Sequence, residues 1–170
     1  MKNNRGFSLL ELMMSVAIFS LMVIAVFGVY QVGMESWDLI YVQSNLTSQA
    51  RMGIEKINKE LRTSTLTNID SSSATQLRFK VPTAVNSSTG IITTWSNWIR
   101  YSRGGNGGNQ LLRTDEGTNA ETVLANDVTN LQFIANSNPD TISIAITTQK
   151  ETANGNVVPI SLSGTVELRN

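Results

Sequence analysis

The feature that most constrains this chain is a long run without charge near its start. Between Glu11 and Glu35 no residue is charged. The stretch 12–34 has about 23 positions and spans roughly 34 Å as a helix at 1.5 Å per residue. A bilayer core calls for about 20 apolar residues, and this run is hydrophobic on every side, as a buried or lipid-facing helix must be. Lys2 and Arg5 precede it, while Glu35 and Asp38 are the first charges after it. Positive-inside logic puts the N-terminus in the cytoplasm and the rest outside. A secretory signal has a shorter apolar core, of about 7–15 residues, and then a small-x-small cleavage site; here the run continues without a break into more helix. One carboxylate, Glu11, stands at its head. An acid in hydrocarbon is costly without a partner, which makes Glu11 a functional candidate. The alternative is a plain anchor whose acid snorkels to the membrane boundary.

Composition removes several classes of function. Lys plus Arg and Asp plus Glu both number 13, so the chain lacks the basic stripe of a nucleic-acid binder. There is no cysteine, hence no disulfide framework and no thiolate metal site. Nor is there a histidine, which takes away the commonest acid–base residue and a common metal ligand. An enzyme needs convergent acid, base or nucleophile groups, and only scattered acids and hydroxyls remain. We expect no catalytic residue, no cofactor and no metal. Asp115, Glu116 and Glu121 cluster with Asp127 nearby, but their spacing matches no calcium loop, so a solvated turn is expected.

Beyond residue 35 the pattern changes. Val42, Leu46, Ala50, Ile54, Ile57 and Leu61 recur at spacings of four and three, the apolar stripe of a helix lying on a core. Arg51, Glu55, Lys56, Lys59 and Glu60 fall on the other faces and read as solvated, with Glu55 and Lys59 at a favourable i,i+4 spacing. No proline interrupts residues 7–62, so one helix of about 55 residues, roughly 80 Å long, is expected. Residues 63–75, rich in Ser, Thr and Asn, read as a loop. Strands are expected at 77–81, ending before Pro82, and at 93–103, with residues 110–114 pairing back across the glycine-rich tip 104–109. That tip lacks the Lys-Ser/Thr ending of a phosphate-binding loop. Further strands are expected leading to Phe133, at 141–147, and at 161–168. Trp95 and Trp98 have opposite parity on their strand, which predicts one of them exposed. The expected fold is α+β: a long helix packed on an antiparallel domain of about six strands.

The head of the chain, Lys2 and Arg5 followed by Gly6-Phe7-Ser8-Leu9-Leu10-Glu11 and the apolar run, resembles that of type IV pilins and type II secretion pseudopilins. The resemblance covers about 35 residues. It implies a leader, residues 1–6, cut by prepilin peptidase between Gly6 and Phe7 on the cytoplasmic side of the inner membrane. It also implies N-methylation of Phe7 by the same enzyme, and pairing of Glu11 with the Phe7 ammonium of a neighbouring subunit. A small Gly before the scissile bond suits close approach to the backbone, and an ammonium and a carboxylate in apolar surroundings cost much less together than apart. Pairing within one chain remains open, since the two residues are only four apart. The implied organisation is leader 1–6, membrane and filament-core helix 7–34, amphipathic helix 35–62 and β domain 63–170. Major pilins often carry a proline near the position of Gly28, where the helix loosens; here there is none, which favours a minor subunit. The stretches 123–133 and 166–170 resemble W-type minor pilins and J-type minor pseudopilins. The function implied is structural, in a secretion or pilus filament, with other subunits as partners. A DNA-uptake or adhesion subunit and a membrane-anchored binding domain are the competing readings.

Overall fold

The computed structural model describes residues 8–137 and 140–168. The chain divides into two compact units, Met1–Ile40 and Tyr41–Asn170. A single helix, α1 (Leu9–Leu61), supplies the first unit and opens the second. It ends where Thr63 and Ser64 turn back, their amides donating to the Glu60 and Leu61 carbonyls at 3.2 and 3.0 Å.

Ten strands follow, in three antiparallel sheets. β1 (Ile69–Ser73), β2 (Gln76–Phe79), β5 (Ile99–Gly104), β6 (Gln110–Asp115) and β7 (Ala120–Ala125) form a five-stranded sheet in the order β1-β2-β5-β6-β7. β8 (Val128–Ser137), β9 (Asp140–Glu151) and β10 (Val157–Glu167) form a second sheet with β9 in the centre. β3 (Pro82–Val85) and β4 (Ile92–Trp95) make a separate ribbon. Between β7 and β8 the chain changes sheets at a corner where Asp127 takes φ +58°, a conformation that Asp and Asn tolerate better than most residues. Several bonds hold this corner. The Asn126 amide donates to Gln49 Oε1 of the helix at 2.7 Å, and the Val128 and Gln149 amides donate to the Asn109 and Asp127 carbonyls, both at 2.8 Å.

The expected stripe is the face that packs. All six of its residues are buried, with Gly53 between them. Ala50, Ile54, Ile57 and Leu61 meet the inward residues of both larger sheets, among them Leu77, Phe79, Ile99, Tyr101 and Leu111 on one and Leu131, Phe133, Ile142, Ile144 and Ile146 on the other. The strict alternation of β9 puts its three isoleucines on that face. Phe79 and Tyr101 stack with ring centroids 5.7 Å apart. Each such side chain, fully buried, contributes about 1.5–3 kcal/mol. Gly53 lies where the helix reaches both sheets at once: a Cβ there would stand 2.7 Å from Leu111 Cδ2 and 3.6 Å from Ile146 Cδ1.

Polar anchoring accompanies the stripe. Glu60, near the C-terminal end of α1, is largely covered and accepts a bond from the Tyr101 hydroxyl at 2.9 Å. It also accepts from Arg113 Nε, 3.1 Å from each of its oxygens, and pairs with Lys56 at 2.9 Å. Burial works to raise the Glu60 pKa, but the bonds from Lys56, Tyr101 and Arg113 outweigh it and hold the carboxyl below its ordinary value. Burial, and next the Glu60 charge, push the Tyr101 phenol upward.

Several local expectations are corrected. Glu60 is not on a solvated face, because Arg113 and Tyr101 of the sheet reach it. Among the described residues the helix pair that forms is Lys56 with Glu60, not Glu55 with Lys59. Residues 63–75 are not simply a loop: a 3-10 turn spans Leu66–Asn68, and Ile69 and Asp70 pair with Phe79 and Arg78. The strand expected at 93–103 breaks at Ser96, whose amide and hydroxyl bond the Val81 carbonyl and amide, at 2.8 and 3.0 Å respectively. That break separates β4 from β5 and adds the ribbon, so ten strands replace about six. It also undoes the parity argument for the tryptophans, since Trp95 and Trp98 are both half-buried. Arg78 and Lys80 lie over the Trp98 ring at 5.2 and 4.9 Å.

Candidate functional site

Ser8 begins the helix by capping it. Its hydroxyl accepts the Glu11 amide at 3.3 Å, and its carbonyl accepts the amides of Glu11 and Leu12 at 3.1 and 3.2 Å. Ser8-Leu9-Leu10-Glu11 thus has the Ser-x-x-Glu spacing of a capping box. A carboxylate in the first turn also lies at the positive end of the helix dipole. This local role was readable from the spacing and missed, because the apolar surroundings drew attention to Glu11's need for a distant partner.

Glu11 is exposed, and among the described residues its carboxylate has no ion-pair partner. The apolar side chains behind it, from Leu9 to Met34, are exposed as well, and none of the most apolar window is buried within the chain. A helix of this length and composition is long and apolar enough to cross a membrane. Its hydroxyls are already satisfied: Ser15, Ser20 and Ser36 donate to the carbonyls four residues back, at 2.8, 2.8 and 2.9 Å. That arrangement suits lipid, where an unbonded polar group is expensive. The proposed cleavage and methylation positions, Gly6 and Phe7, lie outside the described residues.

The decisive observation is the match of the N-terminal segment to a family model. The chain carries the prokaryotic N-terminal methylation motif, over residues 1–27. That motif is the signature of type IV pilins and pseudopilins. It supports a subunit processed by prepilin peptidase and assembled with other pilin-type subunits. Together with the apolar helix it fits a membrane-anchored, single-pass protein. Proteins with the motif are structural rather than catalytic. The remainder of the architecture, one long helix packed on an antiparallel β domain, is pilin-like. No curated protein and no solved structure matches the chain.

The acidic residues further along do not converge. Asp115 Oδ1 accepts the amides of Gly117 and Thr118 at 2.9 and 3.3 Å, closing the turn after β6. Glu116 is half-buried and bonded to Arg78, with Nη2 at 2.6 Å, rather than solvated. Asp127 lies 3.9 Å from Lys150. Among the described residues no three such groups come together as a metal site would need.

Proposed function

We propose that this chain is a minor subunit of a pilin-type filament, either a minor pilin or a pseudopilin of a type II secretion system. Prepilin peptidase removes residues 1–6 by cutting between Gly6 and Phe7, and methylates the new Phe7 amino group. The helix from Phe7 to about residue 34 is held in the inner membrane, with the N-terminus cytoplasmic and the domain from residue 63 outside; residues 35–62 join the two. On assembly, Glu11 pairs with the Phe7 ammonium of a neighbouring subunit. The observation that carries the reading is a lone, exposed Glu11 at the head of an exposed apolar helix bearing the methylation motif. Absence of any proline in the helix and the likeness of 123–133 and 166–170 to W-type and J-type minor subunits support the minor role. In this reading the work is structural and needs no cofactor.

The intact mass and the N-terminal peptide mass of protein from native membranes, with and without the peptidase, provide the test. The expected product starts at N-methylated Phe7 and appears only when the peptidase is present. Glu11→Ala is then expected to be cut normally but to fail to enter filaments. A chain starting at Met1 in both strains would sink the proposal, and a cut beyond residue 34 would make the protein an ordinary secreted one.

A further inference from the structure

A polar groove of about 550 Å³ lies on the β domain, far along the chain from the methylation motif. That volume is in the range of ligand clefts, about 300–1,000 Å³. Thr75 and Gln76 line it at the start of β2, Arg100, Ser102 and Arg103 from β5, and Asn130 from β8. Arg100 and Ser102 alternate with the core residues Ile99 and Tyr101, so they face away from the core. Two guanidiniums, two hydroxyls and two amides thus border one space, and none of the lining residues is an acid.

The two arginines differ in how they are held. Arg103 donates through Nη1 to the Thr129 carbonyl, which anchors it beside β8. Arg100 is poorly satisfied. Its nearest carboxylate, Glu116, is 3.7 Å away and is already bonded to Arg78 through Nε at 3.1 Å and Nη2 at 2.6 Å. The Arg100 Nε is buried, and among the described residues it has no hydrogen-bond partner. A buried donor left unbonded is costly. An oxyanion in the groove gives the guanidinium a better partner than the shared Glu116, after a small turn of the side chain.

We propose that this groove binds an acidic polypeptide segment, with a carboxylate of the partner held by Arg100 and Arg103. The guanidinium fork matches a carboxylate in shape and charge. Thr75, Ser102, Gln76 and Asn130 supply donors and acceptors for the segment's own backbone. A nucleic acid fits less well. No aromatic ring lines the groove to stack a base, and a phosphodiester chain continuing along this face meets Glu116 and Asp70 around Arg78. A single carboxylate stops at the two arginines. The inference does not depend on cleavage after Gly6 or on entry into a filament, so its failure and theirs are separate.

The test titrates the full chain in detergent micelles with a ten-residue glutamate peptide at low salt, followed by calorimetry. Saturable one-to-one binding is expected, weakening as salt rises. Arg100→Gln and Arg103→Gln are each expected to weaken it about tenfold, the usual scale for losing a charge-assisted bond. Lys59→Gln, on the helix, should leave it unchanged, and near-UV circular dichroism of each variant checks that the domain is folded. No saturable binding, or equal binding by folded Arg100→Gln and Arg103→Gln, overturns the proposal. Tighter binding of a ten-nucleotide thymidine strand than of the glutamate peptide overturns it too, by giving the groove to nucleic acid.

Discussion

Replacing Glu60 tests the idea that a polar cluster, and not the apolar stripe alone, fixes the helix on the β domain. Glu60 sits in the last turn of α1, where the helix dipole disfavours negative charge, so its partners must outweigh both the dipole and burial. In Glu60→Ala the Tyr101 hydroxyl, on a fully buried residue, loses its acceptor, at about 1–3 kcal/mol. Arg113 loses its carboxylate but is near enough to the surface to find water, so about 1 kcal/mol is expected there. Lys56, nearly half exposed, adds only a few tenths. The expected loss is therefore about 3 kcal/mol for Glu60→Ala. It is about half that for Glu60→Gln, which keeps an acceptor for Tyr101. Urea unfolding of the full chain in detergent, followed by near-UV circular dichroism, measures it. A double-mutant cycle with Arg113→Ala should give a coupling of about 1–2 kcal/mol. A loss below about 1 kcal/mol for Glu60→Ala, or strict additivity with Arg113→Ala, would refute the reasoning.

Other expectations follow from the same contacts. Because the Glu60 carboxyl is held below its ordinary value in the folded chain, its contribution is fully present above the usual carboxylate range and lost as pH falls through the depressed value. The stability gap between wild type and Glu60→Gln should accordingly narrow below about pH 4 in acid-unfolding curves; a constant gap down to pH 2 would contradict it. Gly53→Ala gains helix propensity of about 1 kcal/mol but forces a methyl against Leu111 and Ile146 in a filled core, which costs about 1–3 kcal/mol. A net loss of about 1 kcal/mol in urea unfolding is expected, and a gain would show that the core yields there. Ser8→Ala removes the helix cap, worth about 1 kcal/mol; its effect should appear as faster amide exchange at residues 9–12, with domain unfolding unchanged.

How much of this was legible in the sequence depended on whether one segment carried its own signal. The stripe from Val42 to Leu61 and the alternation of Ile142, Ile144 and Ile146 were readable because each element displays its buried face in its own periodicity. The glycine-rich tip between β5 and β6 was readable for the same reason, as local turn chemistry. The head of the chain was legible in still another way: its spacing matches a motif whose context is the apolar run behind it. β1 was missed because Ile69 and Asp70 become a strand only by pairing with Phe79 and Arg78, in a segment whose Ser and Thr content argues for a loop. The break at Ser96 was missed because the bonds that cause it come from Val81, fifteen residues earlier.

Charge was the least legible property, for a physical reason. An apolar residue on a helix announces burial through its neighbours three and four positions away, whereas a charged residue is buried only where a counter-ion exists. For Glu60 that counter-ion is Arg113, 53 residues later, on a strand whose register is set by pairing with β5 and β7. A shift of β6 by one residue would carry Arg113 to the opposite face of the sheet and leave Glu60 with Lys56 alone. The pair is thus a consequence of register and also a check on it. Charge reversal at both positions, Glu60→Arg with Arg113→Glu, should recover part of the stability that either change alone removes. Recovery no better than the sum of the two losses would mean that the bond between them does not hold the helix end on the sheet.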